Sequence, residues 1–289
     1  LNILIIGGTR YHGFYTLNRL LREGFRVTTI SRNKFREINS NHTHLNFNRN
    51  NCDNILSIIK KIKFHTIIDN CCYSPDQIKP LLEEIKRSGA TYIFASSVMA
   101  YLEDIENSPE IELIPNKKKY KSIRPNIKKF GYSENEIDYG INKRLCEDHI
   151  RIHLNRYSIL RMHNVIDIND FTNKSYNLLR WLMNLGKNYK DSYLQVAEKK
   201  DVYDAIKKSM NQINSSSIIN IAKPKIRIPY LLDKISDQFK LFDRNLVIQK
   251  SPIPIDVIMK VDSDISEYKN AENYINLFKN IYNENQKNV

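Results

Sequence analysis

A doubly wound α/β fold of Rossmann type, with a parallel sheet and a smaller, less regular C-terminal substrate lobe, is what this sequence predicts. Three observations predict it. The first is the apolar run Ile3-Leu-Ile-Ile6, which stops at Gly7-Gly8 and passes through Thr9 and Arg10 to Gly13. Four such residues are too few to span a membrane and too apolar for a half-exposed edge, so they read as a strand buried on both faces. The second is the change to helical spacing from Tyr15, with Leu17, Leu20 and Leu21 on one stripe, Gly24 placed to end the helix, and a further strand over Phe25 to Ile30. The third is the recurrence of strand and helix down the first 165 residues. Strand, glycine turn, helix and strand in about thirty residues make a βαβ unit whose backbone N–H groups and helix N-terminus face a dinucleotide's pyrophosphate.

Each later element has its own signal. A third strand is expected over Thr43 to Phe47, a helix over Asn54 to Ile62, and a fourth strand over Thr66 to Asp69 that ends in the loop Asn70-Cys-Cys-Tyr-Ser-Pro75. Ile78, Leu81, Leu82 and Ile85 share a stripe on a helix over Asp76 to Ser88, closed by Gly89. The fifth strand, Tyr92 to Ala95, ends in Ser96-Ser97 at the carboxyl edge of the sheet, where open α/β folds bind ligands. Residues 102–138 read as an inserted loop or flap, acidic at first and then basic through Lys117-Lys-Lys-Tyr-Lys121. Tyr139 opens a helix to about Leu154, and Tyr157 to Met162 form a sixth strand.

Beyond this the alternation loosens. Helices are expected over Ser175 to Leu185 and Asp201 to Ile213, with Asp201 as N-cap, and another from Pro229 to Phe242. Short strands are expected over Tyr193 to Val196, Ile218 to Ile221 and Leu246 to Gln249, before an amphipathic helix carrying Tyr274, Leu277, Phe278 and Ile281. The expected organisation is a nucleotide-binding domain over 1–165 and, over 166–289, mainly a substrate lobe with interleaved Rossmann elements.

Composition narrows the class. A chain of 289 residues, 41% hydrophobic and 27% charged, suits a globular domain with a substantial core. Its net charge of +13 points to nucleic acid or to small phosphorylated anions, discounted because Lys, Asn, Ile and Tyr are abundant together, as AT-rich coding produces. Cys52, Cys71, Cys72 and Cys146 contain no C-x-x-C pair, so a reducing cytoplasm is the expected compartment. His149 and His153 lie four apart without a third ligand and read as an exposed helix face, so no metal is expected. The first strand begins at residue 3, which leaves no room here for a signal peptide, and no apolar run is long enough for a membrane span.

The candidate chemistry lies in three places: the glycine turn, Ser97 after the fifth strand, and Tyr139-x-x-x-Lys143 on the next helix, where both side chains share a face. Arg10 stands where the middle glycine of G-x-x-G-x-x-G would be, and Arg32 follows Ser31 after the second strand, where an NAD-binding chain would carry an acidic residue. Two guanidiniums there suit a 2′-phosphate and hence NADP over NAD. A phenol has a reference pKa of about 10, and an ammonium one helical turn away favours its phenolate form.

In this order the motifs resemble the extended short-chain dehydrogenase/reductase superfamily of nucleotide-sugar epimerases, dehydratases and ketoreductases. The resemblance implies Tyr139 as acid/base, Lys143 as its partner and as holder of the nicotinamide ribose, and Ser97 as the hydroxyl that orients the substrate oxygen, with Ser96 as fallback. Ser97 and Tyr101 match the family's Ser-x-x-x-Tyr, and Leu160-Arg-Met-His-Asn164-Val resembles a segment that would put Asn164 near the sugar or its diphosphate. Gly7, Gly8, Thr9, Arg10, Gly13, Ser31 and Arg32 would hold the cofactor with Lys143. Arg10 matches a Gly-Gly-Thr-Arg subgroup of less uniform activity.

Ser97 is followed by Val98 and Met99 where 4,6-dehydratases carry a Thr-Asp-Glu set, which argues against dehydration. The expectation is an NADPH-dependent reductase of a keto group on a nucleotide-linked sugar. The alternatives are an epimerase with tightly bound NAD and a non-catalytic RNA-binding or NADP-sensing member of the same fold. A homodimer is a further expectation to test.

Overall fold

The computed structural model describes residues 1–107, 113–115, 124–126, 132–185, 190–212, 215–235, 251, 258–261 and 267–287. They fall into two compact units, one of residues 1–107, 115–162 and 199–221, the other of 108–114, 163–198 and 222–289.

The first unit holds a seven-stranded sheet. Its strands in chain order are β1 (Asn2–Ile6), β2 (Arg26–Ser31), β3 (His42–Asn46), β4 (Thr66–Asp69), β5 (Thr91–Ser97), β6 (Tyr157–Met162) and β8 (Ser216–Ile221). They pair in parallel in the order β3-β2-β1-β4-β5-β6-β8. Direction of progression reverses at β1, which lies between β2 and β4 and leaves a crevice outside their carboxyl ends. All residues of β4 and β5 are buried, as are Ile3 to Ile6 of β1, so the short apolar runs are strands covered on both faces. The doubly wound fold is therefore as expected.

The helices of this unit are α1 (Tyr11–Arg22), α2 (Cys52–Lys61), α3 (Pro75–Ile78), α4 (Leu82–Ser88), α5 (Leu102–Asn107), α6 (Glu134–His153) and α8 (Lys199–Asn211). Several boundaries differ from the sequence expectation, each for a local reason. α1 starts at Tyr11, because Gly13 fits inside its first turn, so the helix begins within the glycine motif. α2 starts at Cys52, where the Asn51 side chain accepts from the Asn54 N–H. The single helix expected over 76–88 is interrupted by a 3₁₀ turn, Lys79–Leu81, at Pro80, which cannot donate in a continuous helix. α6 starts at Glu134, five residues before Tyr139, behind a capping box in which Ser133 and Glu136 satisfy each other's backbone N–H. Of the residues expected as a flap over 102–138, the first fall in α5, entered through a 3₁₀ turn, Val98–Tyr101, and the last in α6. The basic run 117–121 lies outside the described residues. Asp201 sits inside the first turn of α8 and is not its N-cap.

The second unit has its own core. α7 (Lys174–Asn184), β7 (Tyr193–Leu194), β9 (Ile226–Arg227), α9 (Ile228–Ile235) and α10 (Glu267–Lys287) surround Leu178, Trp181, Leu194, Leu231, Tyr274 and Phe278. β7 and β9 pair antiparallel. The Gln195 side chain ties this unit's loops together, donating to the Lys223 and Met259 carbonyls and accepting from the Met259 N–H. The strand expected over 246–249, and the end of the helix expected to reach Phe242, lie outside the described residues. No described helix is long and apolar enough to cross a membrane.

Candidate active site

The glycine turn connects β1 to α1 at the carboxyl edge of the sheet. Gly7 has φ +82°, a left-handed backbone that a side chain would strain, and its N–H donates to the Ile30 carbonyl of β2. Gly13 lies so close that an added Cβ would stand 2.4 Å from the Gly7 carbonyl oxygen. Arg10, at the N-cap position of α1, makes no side-chain cap, and the first turn carries no acidic residue. An uncapped, unneutralised helix N-terminus beside a flush glycine wall fits a dinucleotide's pyrophosphate, since N–H groups and the helix dipole both favour an anion there. Thr9 lies in this turn, half-buried, and Gly8 is pressed on Thr29, whose Cγ2 would be 2.9 Å from an added Cβ.

Arg32 is exposed just past β2, and the Ser31 hydroxyl donates to the Asn33 carbonyl. A chain of hydrogen bonds orders this loop. Because the Ile38 N–H donates to His42 Nδ1, His42 must donate through Nε2 to Thr29 Oγ1; Thr29 then donates to His44 Nδ1, and His44 Nε2 to the Asn33 carbonyl. The His42 imidazole is neutral in this arrangement, since its Nδ1 accepts. Burial lowers the pKa of His42, in keeping with that state, against a smaller opposing pull from Glu37.

β5 and α6 supply the other half. Ser96 and Ser97 point to opposite faces of β5, and only one is uncommitted to the core. The Ser96 hydroxyl donates to buried Glu147, whose carboxylate also receives both Nε and Nη2 of Arg161 at 3.0 and 2.7 Å. Ser97, the last residue of β5, caps the following 3₁₀ turn by accepting from the Met99 N–H at 3.2 Å. Tyr101 is fully buried, its ring over the Arg161 guanidinium at 4.3 Å and its hydroxyl donating to Asn220.

On α6, Tyr139 is half-buried and Lys143 is 1% exposed. The Lys143 ammonium donates to the Cys72 carbonyl at 2.8 Å and the Ala95 carbonyl at 2.7 Å, which fastens α6 to the loop after β4 and to the end of β5. It lies 5.6 Å from the Tyr139 ring centre, 5.1 Å from that of Tyr73 and 4.8 Å from that of Phe94. Burial works against the ammonium, but Tyr139, Cys72, Cys146 and Tyr73 around it outweigh that effect, and the pKa of Lys143 is raised. The loop carrying Cys72 is itself fixed from below by Asp69, which pairs with Arg49 at 2.7 Å and accepts from the Tyr92 hydroxyl and the Cys71 N–H. All four cysteines are free thiols.

Gly140, next to Tyr139, brings α6 against the turn after Ser97: an added Cβ would be 2.5 Å from the Met99 carbonyl oxygen and 2.8 Å from Leu102. Gly140→Ala is expected to destabilise the protein by about 1–3 kcal/mol, read as a lower urea midpoint, and to reduce activity by shifting Tyr139 away from β5. Wild-type stability would mean that α6 can slide freely. A glycine inside a helix is a visible signal in the sequence, since it is unfavourable there without a packing reason. Tyr73 and the buried carbonyls that hold Lys143 carry no such signal.

The first unit therefore contains the glycine turn, Arg10, Ser31, Arg32, Ser97, Tyr139 and Lys143. Asn164 belongs to the second, where its N–H donates to His163 Nδ1 and its carbonyl accepts from the Ala197 N–H. Among the described residues no group of His, Cys, Asp and Glu is placed to hold a metal ion.

No protein-family model matches the chain. A segment of 134 residues is 28% identical to the chloroplast stem-loop binding protein of 41 kDa b of Arabidopsis thaliana, covering 41% of this chain and 35% of that protein's length. Solved structures agree over nearly the whole chain. dTDP-glucose 4,6-dehydratase from Bacillus anthracis in complex with NAD superposes with TM-score 0.67 at 11% identity, covering 100% of this chain and 97% of that one. UDP-glucose 4-epimerase from Thermotoga maritima with UDP-glucose gives 0.64 at 16% identity, covering 100% and 99%. The chain thus shares the Rossmann-type α/β fold of that dehydratase and that epimerase.

Proposed function

We propose that this chain is a nicotinamide-dinucleotide-dependent oxidoreductase of a nucleotide-linked sugar, and that it reduces a keto group with NADPH. The observation that carries the reading is the buried Lys143 ammonium, held by two carbonyls and set against the Tyr139 ring at the carboxyl edge of a parallel sheet. The cofactor, when bound, supplies the hydride.

The chain's own groups manage position and proton. The uncapped end of α1 and the glycine wall receive the pyrophosphate, and Lys143 binds the nicotinamide ribose. The Ser97 hydroxyl orients the keto oxygen, and Tyr139 gives its phenolic proton to that oxygen as it gains negative charge. The phenolate left behind is stabilised by Lys143, whose positive charge is kept in place by Cys72 and Ala95. Tyr139 is half-buried, so solvent can return its proton. Asn164 contacts the sugar or its diphosphate.

Arg32 and Arg10 support NADP. Arg32→Ala is expected to weaken NADP⁺ binding about tenfold with NAD⁺ affinity unchanged, as loss of a charge-assisted contact to one phosphate would do. Equal losses for both cofactors, or none, would remove the preference. NAD in the similar solved structures supports the epimerase as the competing reaction. Purified protein that interconverts epimers with bound NAD and consumes no NADPH with 4-keto nucleotide sugars would decide for it.

A second reading comes from the stem-loop binding protein and the +13 charge: an RNA-binding chain on the same fold. It requires RNA affinity that falls steeply with salt and is untouched by Tyr139→Phe. Keto reduction that depends on Tyr139 supports the first reading instead.

A further inference from the structure

All strands of the large sheet run parallel, so the helices that join them return the other way and end at the edge where the strands begin. This amino edge lies opposite the one that carries the glycine turn, Ser97 and Tyr139, and keto reduction makes no use of it. It gathers positive charge. Arg22 closes α1, Arg26 opens β2, Lys60 and Lys61 close α2, Lys63 stands between α2 and β4, and Lys86 lies in the last turn of α4. All of them are exposed. The strands they flank, β2, β1, β4 and β5, are neighbours in the sheet, a width of about 15 Å. Hydrogen bonds fix the middle of the row. Asn2, in register with Arg26, donates from its side chain to the Lys63 carbonyl at 3.2 Å. The Asn2 N–H also donates to His65 Nδ1, so the exposed His65 ring carries its proton on Nε2 and adds a donor to the same edge.

These cations pair with no carboxylate among the described residues. Of the acidic residues toward this edge, Glu23 binds Lys207, Glu84 binds Arg87 and Asp148 binds Arg151. At the other end of the helices, the first turns carry Asp53 in α2 and Glu134 and Glu136 in α6. Charge is thus sorted along the strand direction. A cation in a last turn offsets the helix dipole, which accounts for Arg22, Lys60, Lys61 and Lys86. It does not account for Arg26 and Lys63, which lie outside the helices and add to the repulsion among like charges.

A row of unpaired cations is complemented by a row of phosphates. Which polyanion fits follows from the aromatic side chains. Among the described residues the exposed Phe and Tyr rings are Phe14 in the first turn of α1, Tyr73 in the loop after β4, and Phe171 in the second unit. Phe64 and Tyr157, at the amino edge, are buried. The edge therefore offers no ring on which an unpaired base could stack, and none to insert among lipid headgroups. A duplex needs neither, because it presents its phosphates directly. We propose, on the reading of this chain as an RNA binder, that the amino edge is its RNA-docking surface, where Arg22, Arg26, Lys60, Lys61, Lys63 and Lys86 hold the phosphate backbone of a double-stranded stem without reading its sequence. The dinucleotide edge stays open at the other end of the strands, so RNA and cofactor bind together.

Fluorescence anisotropy with a labelled RNA hairpin over a series of salt concentrations tests this on wild type and on Lys60→Gln/Lys61→Gln/Lys63→Gln. The variant is expected to bind the hairpin about 10²-fold more weakly, with a salt slope shallower by about one unit per lysine removed. Its NADP⁺ affinity and urea midpoint should match wild type, which shows that the fold is intact. Arg32→Gln, at the opposite edge, should bind the hairpin as wild type does, and saturating NADP⁺ should not displace the RNA. If wild type binds the hairpin and the triple variant binds it equally well, or if Arg32→Gln or NADP⁺ removes the binding, the inference is overturned while the RNA reading stands with its site elsewhere. Tighter binding of a single strand than of the hairpin would also overturn it. If wild type binds no RNA, the RNA reading fails and this inference with it, and retention on phosphatidylserine vesicles would then assign the surface to a membrane.

Discussion

Tyr139→Phe is expected to lower turnover of a keto nucleotide sugar by about 10²–10⁴-fold while leaving NADPH affinity unchanged, the range that a positioned proton donor contributes. The substitution removes one oxygen. Its ring can keep the 5.6 Å contact with the Lys143 ammonium and the packing against Tyr73, so the cofactor site is preserved. Substituting Lys143 is a less clean test, because it would leave the Cys72 and Ala95 carbonyls without their donor and loosen the junction of α6, β5 and the loop after β4. Steady-state rates with a 4-keto nucleotide sugar and a fluorescence titration of NADPH check the prediction together. Turnover that survives in Tyr139→Phe would assign the proton to another group.

The largest stability effect is expected at Arg161→Met, about 3–5 kcal/mol by urea unfolding at neutral pH. Arg161 is fully buried, donates twice to Glu147, and carries the Tyr101 ring on its guanidinium face. Without it, Glu147 retains the Ser96 hydroxyl at 2.6 Å and Arg144 at 3.4 Å. Burial already pushes the Glu147 carboxyl up to about 7, against the opposing pulls of Ser96 and Arg144, and removing a guanidinium raises it further. The folded protein then binds a proton that the unfolded chain releases near its ordinary carboxylate pKa of about 4.3. The variant's stability must therefore fall as pH rises through the interval between the two values, and its deficit against wild type is smaller at pH 5 than at pH 8. The double variant Glu147→Gln/Arg161→Met should recover part of the loss, since the carboxylate that Arg161 neutralised is gone. A deficit independent of pH would mean that the loss is one of packing against Tyr101.

What could be read from the sequence follows how local each signal is. The strands β1 and β5 were legible because both-face burial demands an unbroken apolar run, which Ile3 to Ile6 and Tyr92 to Ala95 supply; β4 shows it only in Ile67-Ile68. Tyr139 and Lys143 were legible as a pair because a four-residue interval places two side chains on one helix face. The start of α6 was present as Ser133-Glu-Asn-Glu136, a capping-box pattern overshadowed by the more conspicuous tyrosine. The choice between Ser96 and Ser97 was not legible, since only the strand's alternation and the distant Glu147 commit Ser96 to the core. Nor were the partners of Lys143, which are carbonyls 71 and 48 residues away. The two-residue strand β9 is too short for any periodicity, whereas β7 falls within the strand expected over Tyr193 to Val196.

The most direct measurement is a crystal structure with saturating NADP⁺. The account requires the pyrophosphate at the N-terminus of α1 beside Gly13, the nicotinamide ribose within hydrogen-bonding distance of Lys143 Nζ, and the nicotinamide ring alongside Tyr139. A dinucleotide bound away from the glycine turn, or a Tyr139 hydroxyl directed away from the nicotinamide, would contradict it.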